Sequence, residues 1–303
     1  MQQHSALARL QKTVTFCLLA CALAWLAWHW SASPVLAVGG SMAILLAHAL
    51  FLALEFVALY FVSRHDSTPP PSVFELAKAW LGEVAAAPLV FCWRQPFRWK
   101  QVPDHLQAPD LAGRRGVVFI HGFVCNRGFW TPWLLALRQR GHAFVAVNLE
   151  PVFGSIDDYA ATIDKAVQQV TQATGMAPIL VCHSMGGLAA RAWLRTQGQQ
   201  ARVAHVITIG TPHRGTWLGR FSHLPNGRQM RLQSQWLGEL GRGATADHHA
   251  GFTCWYSNCD NIVFPTSTAT LPGADNKLVH GVAHVDMAFT PEVMSWCLAR
   301  IAS

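Results

Sequence analysis

The chain begins with two long apolar runs that are separated by a short polar break. Residues 13–62 contain no Lys or Arg and a single acidic residue, Glu55. Runs at residues 13–30 and 35–62 are long enough, at about 1.5 Å per helical residue, to cross a bilayer core. A cleaved signal peptide is the alternative for the first run, but a longer run follows almost at once. The pattern predicts a membrane anchor over residues 1–65, formed by a hairpin of two transmembrane helices.

A proline-rich linker and an amphipathic helix follow this anchor. Residues 66–72 include three consecutive prolines, which stiffen a linker. Ser72 and Glu75 have the spacing of a capping box, which marks the beginning of a helix. The apolar positions beyond them suit a helix packed on the following domain and a helix lying at the membrane surface equally well. We assign residues 66–112 to this linker and helix.

Strands and helices alternate regularly from residue 113 to the end. Short apolar runs predict buried strands at residues 117–120, 143–147, 179–182, 203–209, 252–256 and 277–282. Helical periodicity, with Gly or Pro at the boundaries, predicts helices at residues 130–140, 157–174, 185–196 and 291–302. Such alternation is typical of an α/β domain, a mostly parallel sheet with helices on both faces. Ligands of these sheets bind at the carboxyl ends of the strands.

Composition supports membrane association and argues against nucleic-acid binding and a cysteine zinc site. Only 13% of the 303 residues are charged, and 51% are hydrophobic, whereas an average soluble domain is about a quarter charged. The net charge of +7 comes without runs of Lys or Arg, so we expect no nucleic-acid partner. The eight cysteines form no CxxC pair and no zinc spacing. Cys254 and Cys259 are close enough for a disulfide, and the sequence leaves that pairing open.

Basic residues predict which side of the membrane the domain faces. Arg9, Lys12 and Arg64 flank the two apolar runs on one side, while the turn between the runs has no charge. The positive-inside bias then places both termini and the domain in the cytoplasm. A cationic domain surface next to an anionic bilayer is also favourable.

The strongest candidate for chemistry is Ser184, between a predicted strand and a predicted helix. A sharp turn at this place exposes the serine at the sheet edge, beside helix N–H groups that favour a developing oxyanion. Gly186 and Gly187 let the helix approach the strand, whereas Cys182 stands where the G-x-S-x-G pattern has its first glycine. The alternative is that Ser184 is an ordinary helix-capping residue.

An acid and a histidine are expected after the nucleophile, in the order Ser, acid, His. The candidate acids are Glu239, Asp247, Asp260, Asp275 and Asp286, and the candidate bases are His280 and His284. We favour Asp260 because it follows the end of a predicted strand, whereas Asp275 precedes one. We favour His284 over His280, which we place within the last strand. His121 and His213 are interpreted as structural residues near the same edge.

Five stretches together resemble the α/β-hydrolase superfamily, within it the bacterial triacylglycerol lipases and PGAP1-like serine esterases. These stretches are residues 119–123, 183–187, 209–215, 260–265 and His284. The resemblance implies an α/β-hydrolase fold and serine ester hydrolysis, with Ser184 as nucleophile, His284 as base and Asp260 as the orienting acid. It also implies an oxyanion hole formed by the main-chain N–H groups of Phe123 and Met185. No cofactor or metal is expected.

An insertion between the fourth and fifth predicted strands suggests the kind of substrate. Residues 213–250 are too long for a simple loop and rich in apolar side chains. In this fold such an insertion is a helical cap, which favours a hydrophobic ester or lipid as substrate, although its apolar residues also suit a core of its own. The prediction is a membrane-anchored serine carboxylic ester hydrolase at the bacterial inner membrane. Acyltransfer, thioester cleavage, amide cleavage and an inactive scaffold are the alternatives.

Overall fold

The N-terminal part of the chain is helical. The computed structural model describes residues 5–108, 110–198, 202–242 and 249–303. Helix α1 (Ala6–His29) and helix α2 (Pro34–Ser63) form a hairpin, in which Ser5 and Ser33 accept hydrogen bonds from backbone N–H groups of the first turns. Helix α3 (Val73–Pro88) begins with the predicted capping box of Ser72 and Glu75. It continues through a π-helical segment (Leu89–Arg94) into the short helix α4 (Gln95–Phe97).

Three of the described helices are long and apolar enough to cross a membrane. They are Ala6–His29, Pro34–Ser63 and Val73–Phe97. The first two correspond to the hairpin predicted from the sequence, and the third is an addition to it. Large apolar side chains on all three are exposed, among them Trp28, Leu50 and Phe74. Exposed apolar surface of this extent is typical of proteins that contact lipid.

The rest of the chain forms a six-stranded parallel sheet with the strand order β2-β1-β3-β4-β5-β6. The strands are β1 (Val117–Ile120), β2 (Phe144–Ala146), β3 (Ile179–His183), β4 (His205–Ile209), β5 (Phe252–Ser257) and β6 (Asp275–Val279). The predicted α/β class and parallel sheet are therefore confirmed. The last strand was misplaced in the prediction, because β6 begins at Asp275 and ends before His280. The first residues of β6 are polar and exposed, so no apolar run marks the beginning of this edge strand.

Helices cover both faces of the sheet. Helix α5 (Thr131–Gln139) and helix α11 (Pro291–Ala302) pack on one face, and helix α6 (Ala160–Thr174) and helix α7 (Met185–Gln197) pack on the other. Side chains of one strand alternate between the two cores, so that Val117 and Phe119 belong to the first and Val118 and Ile120 to the second. Buried strands of this kind hold their carboxyl ends rigidly at one edge.

The insertion after β4 contains short helices. They are a 3₁₀ turn (Trp217–Phe221), α8 (Pro225–Gln229) and α9 (Gln235–Gly241). Met230, Leu237 and Leu240 are buried with one face of the sheet, whereas Phe221 and Leu224 are exposed. Part of the apolar content of the insertion therefore serves its own packing. The predicted cap includes residues 243–248, which lie outside the described residues.

The N-terminal helices lie against the edge where the strands end. Gln11 Nε2 of α1 donates to the carbonyl of Val124 in the loop after β1, at 3.4 Å. Trp80 Nε1 of α3 donates to the carbonyl of Ala49 in α2, at 2.9 Å. Helix α3 also contacts the last short helix before α11, α10 (His284–Met287). Helix α3 is thus packed on the domain by one side, while Val73 and Leu81 on it remain exposed.

All eight cysteines are free in the structure, and they all lie in its described part. Cys254 and Cys259 are both buried and do not form the disulfide that the sequence left open. Burial raises the pKa of the Cys254 thiol to about 11 and that of the Cys259 thiol to about 12. Both side chains therefore behave as small buried apolar groups, with little thiolate at neutral pH.

Candidate active site

Ser184 lies in the sharp turn between β3 and α7 that the sequence predicts. Its backbone has φ 53° and ψ −129°, a conformation that side chains other than glycine rarely adopt. Its N–H donates to the carbonyl of Ile209 at 2.9 Å, and Thr211 Oγ1 donates to its carbonyl at 2.8 Å. These bonds to the end of β4 hold the strained turn in place. Such a turn lifts the serine hydroxyl above the edge of the sheet.

Glycines around Ser184 allow the close approach on which the turn depends. A Cβ at Gly186 would stand 2.3 Å from the carbonyl oxygen of Ile120, and a Cβ at Gly122 would stand 2.7 Å from Ser184 Cβ. Cys182, at the position of the first glycine of the pattern, is completely buried in β3. The strand before Ser184 thus has room for the side chain of Cys182, whereas the helix after it requires glycine at position 186.

Replacing Gly186 by Ala is expected to lower both stability and turnover. The added methyl group meets the rigid backbone of β1, so the helix must move, at a cost of about 1–3 kcal/mol. Displacement of the nucleophile by about 1 Å costs about a hundredfold in kcat. Thermal unfolding and ester hydrolysis of purified protein check this. Gly238→Ala is the matched control because nothing lies within 4 Å of its Cβ position, and its Tm and turnover should stay near wild type.

Asp260 and His284 form a buried acid–base pair at the same edge. His284 Nδ1 and Asp260 Oδ2 are 2.9 Å apart, and both residues are at least 95% buried. The other oxygen of Asp260 accepts the N–H groups of Ile262 and Val263 at 2.9 and 2.8 Å. The carboxylate is therefore fixed in orientation and holds the proton of His284 on Nδ1. This leaves Nε2 as the ring nitrogen that can accept a proton.

The pair lies next to Ser184, across the end of β4. A Cβ at Gly210 would stand 3.0 Å from His284 Nδ1 and 3.1 Å from Asp260 Oδ2. The residue before it, Ile209, accepts the hydrogen bond from Ser184 N. Although both side chains are in the described part of the chain, no direct hydrogen bond joins the Ser184 hydroxyl to His284. Catalytic hydrogen bonds of free enzymes are often long and tighten with substrate.

His183 supports the candidate base from the strand. Its Nε2 donates to the carbonyl of His284 at 3.2 Å, and the two rings lie 4.7 Å apart between centroids. Burial, and then the charge of His284, hold the pKa of His183 well below its ordinary value. His183 is therefore neutral at physiological pH and does not compete with His284 for a proton.

The environment of His284 raises the pKa of its imidazole. Burial by itself lowers the pKa of His284, but the charge and hydrogen bond of Asp260, with the carboxylates of Glu83 and Glu55, outweigh burial and raise it above 6.5. A raised pKa makes the neutral ring a stronger acceptor for the proton of a serine hydroxyl.

The pH dependence of activity should follow this raised pKa. Only neutral His284 can accept the proton, so kcat/KM is expected to be low in acid and to rise to a plateau. The midpoint should lie above 6.5, the ordinary value for histidine. Rates measured between about pH 5 and pH 9 with a neutral ester check this. A flat profile, or a midpoint below 6.5, would contradict the assignment of His284.

The other candidate residues have different surroundings. His121 donates from Nδ1 to the carbonyl of Gly122 and accepts the N–H of Leu149 at Nε2, and burial lowers its pKa to about 4. His280 is exposed and lies 3.3 Å from Glu75. Asp275 pairs with Lys277 at the amino end of β6. Glu239 accepts a hydrogen bond from the side chain of Gln235, and the ring of His213 bonds to the hydroxyl of Thr208. The backbone carbonyl of Asp286 accepts the N–H of Phe289. Asp247 lies outside the described residues.

The two predicted oxyanion donors follow β1 and β3 directly. Phe123 lies in the loop after β1, where Gly122 packs against Ser184, and Met185 is the first residue of α7. Within the described residues, neither backbone N–H donates to another group of the protein. The first N–H groups of a helix have no partner within the helix and are free to bind an anion. A negatively charged oxygen on a substrate would meet suitable donors here.

Three polar residues at this edge have no counterpart in the predicted site. Asn261 follows Asp260 directly, and Glu55 and Glu83 approach from α2 and α3. The sequence offers one signal for Glu55, because an acid within an apolar run is expensive to bury and is typically functional. Glu83 and Asn261 carry no such signal.

Comparison with known proteins identifies the family and agrees with the fold. Residues 117–292, more than half of the chain, match the model of the alpha/beta hydrolase family. Among solved structures, the lipase BlEst2 of Bacillus licheniformis in its mature form superimposes with a TM-score of 0.56 at 17% identity, covering 66% of this chain and 96% of that one. Lipase B of Aspergillus fumigatus gives 0.57 at 16% identity, covering 85% and 68%. The chain belongs to the alpha/beta hydrolase family.

Proposed function

We propose that the protein is a serine carboxylic ester hydrolase that acts on a hydrophobic ester through the triad of Ser184, His284 and Asp260. The observation that carries the proposal is the buried hydrogen bond of 2.9 Å between His284 and Asp260, at the edge where Ser184 occupies a strained turn. A buried imidazole whose tautomer is fixed by a carboxylate is the arrangement that activates a serine hydroxyl.

The reaction proceeds in two steps. The hydroxyl of Ser184 attacks the acyl carbon, and His284 Nε2 takes its proton and passes it to the leaving alcohol. Asp260 stabilises the imidazolium that forms meanwhile. The N–H groups of Phe123 and Met185 are the donors proposed for the oxyanion. Water then hydrolyses the acyl-enzyme with His284 again as the base, and the free serine is restored.

The helices at the N-terminus support a substrate that partitions into the bilayer. Three candidate membrane spans are packed next to the loops that carry the proposed triad and the proposed oxyanion donor Phe123. The two superimposed structures are named lipases, which is compatible with an acyl chain as the substrate group. We therefore propose that α1 and α2 anchor the enzyme in the bacterial inner membrane.

A series of p-nitrophenyl esters tests the reaction and the substrate class. The detergent-solubilised full chain should hydrolyse them with kcat/KM rising from acetate towards long acyl chains, and Ser184→Ala should abolish turnover. Equal rates for all chain lengths would contradict a lipid-like substrate, and turnover that survives in Ser184→Ala would contradict the nucleophile. Thioester and anilide analogues with the same acyl group show whether an oxygen ester is preferred.

The proposed orientation places the catalytic domain in the cytoplasm. Arg9, Lys12 and Arg64 lie at the ends of α1 and α2 opposite the uncharged turn, which favours the cytoplasmic side for those ends. A cysteine introduced at Ser303, in a chain whose exposed Cys17 and Cys21 are replaced by Ser, should resist an impermeant thiol reagent in intact cells. Labelling before the cells are broken would reverse the orientation.

A further inference from the structure

The turn that carries His284 is held through its backbone by side chains from other elements. The N–H of His284 donates to Asn261 Oδ1 at 3.1 Å, and its carbonyl accepts from His183 Nε2. The next two N–H groups, of Val285 and Asp286, donate to the carboxylate of Glu83 at 3.1–3.2 Å. The position of the imidazole therefore depends on groups outside the turn itself.

Asn261 can hold His284 in this way only in one orientation of its amide. Its Oδ1 must face the N–H of His284, and its Nδ2 must then find an acceptor. That acceptor is Glu55 Oε2 of α2, at 2.6 Å. Without it, the amide could turn over and present its NH₂ group to the N–H of His284, donor against donor. Asn261 is completely buried, so water is poorly placed to substitute for the carboxylate.

We propose that Glu55 is a positioning residue for catalysis, which fixes the amide of Asn261 and through it the backbone of His284. The inference rests on the proposed function, because it gives Glu55 a role in that same reaction. Glu55 is the only acid in α2, an otherwise apolar helix, and its partner lies 206 positions away in the chain. An acid at such a place is costly and marks a functional site.

A consequence is that the N-terminal helices complete the active site as well as anchoring it. Glu55 from α2 acts on the N–H of His284 through Asn261, and Glu83 from α3 accepts the next two N–H groups of the same turn. Glu83 is 98% buried and satisfied by the two N–H groups that it accepts. A shift of α2 relative to the sheet would therefore displace His284, through the hydrogen bond from Asn261 to Glu55 and the one from His284 N to Asn261.

The experiment compares variants of Glu55 in the full chain in detergent. Glu55→Met keeps the length but removes the acceptor, and kcat for a p-nitrophenyl ester should fall about 10- to 100-fold. KM should change by less than about twofold, because substrate binding is untouched. Glu55→Gln keeps an acceptor oxygen at the same distance and should restore kcat to within about threefold of wild type. Ser41→Ala is the control, since the partners of the Ser41 hydroxyl among the described residues are the carbonyls of Ala22 and Ala37 inside the hairpin.

A second pair of variants, Glu55→Asp and Glu55→Gln, separates the effect of the position of the acceptor oxygen from the effect of its charge. This pair also tests the proposal if Glu55→Met fails to fold. Glu55→Asp keeps the charge but draws the oxygen back from Asn261, so its kcat should fall while Glu55→Gln remains active. Wild-type kcat in Glu55→Met or Glu55→Asp, or a loss in Glu55→Gln as large as in Glu55→Met, would overturn the positioning role alone. Absence of Ser184-dependent turnover in the wild type would instead overturn the proposed function, and the positioning role with it.

Discussion

Replacing His284 by Ala is expected to lower kcat by up to about 10⁶-fold, the loss typical of a catalytic base in a serine triad. Without the imidazole, no other histidine in the described part of the chain is placed to take the proton of Ser184, because the low pKa of His183 makes it a weak proton acceptor and its Nε2 already donates to a carbonyl. Ester hydrolysis by the purified full chain measures the effect. A residual rate above that in water is expected, since the oxyanion donors are still present.

The control for this prediction is His280→Ala. His280 lies four positions earlier in the sequence, but it is exposed and interacts with Glu75 and Asn258. Its removal should leave kcat near the wild-type value. Thermal unfolding of both variants separates a loss of chemistry from a loss of fold. A His284→Ala variant that unfolds like wild type and keeps activity within about tenfold would contradict the account of the base.

Replacing Asp260 by Asn is expected to lower kcat by about 10⁴-fold at neutral pH. The amide has nearly the shape of the carboxylate, and its oxygen can still accept the N–H groups of Ile262 and Val263. Its NH₂ group, however, faces His284 Nδ1 and turns that nitrogen into an acceptor. The ring proton then lies on Nε2, which can no longer take the proton of Ser184.

Measurement of kcat for Asp260→Asn beside Asp275→Asn checks the effect. Asp275 lies at the amino end of β6, pairs with Lys277 and is exposed, so its substitution should change kcat little. The Asp260→Asn variant should also lose the upward shift in the pH midpoint that the carboxylate causes in His284. Equal activity of the two variants would show that Asp260 is not the residue that orients the base.

Local sequence patterns predicted most of the fold, because the burial and the type of each element determine which residues are apolar and which residues stand at its ends. The buried strands β1, β3 and β4 are short apolar runs, and the helices between them begin and end at recognisable residues. Edge strand β6 begins with Asp275 and is partly exposed, so periodicity placed it too late. Where the third candidate span lies, the sequence predicts an amphipathic helix, because its apolar positions recur at helical spacing and charged residues lie between them.

Residues of the candidate site could be predicted only where the sequence around them forms a recognisable pattern. Ser184 lies in a recognisable strand–turn–helix, and the order of acid and histidine follows from the fold. The pairing of Asp260 with His284 fits that order, and the structure gives its distance. Contacts of Glu55 and Glu83 with this edge could not be predicted, because they cross more than 200 positions and depend on how α2 and α3 pack.

Intact-protein and peptide mass spectrometry after treatment with a fluorophosphonate tests the central claim most directly. A fluorophosphonate reacts with an activated serine hydroxyl, displaces fluoride and leaves a stable phosphonyl ester. We predict one adduct for each chain, on the peptide that contains Ser184, with none in Ser184→Ala and much slower formation in His284→Ala. An adduct on another residue, or undiminished labelling of Ser184→Ala, would contradict a triad built on Ser184, His284 and Asp260.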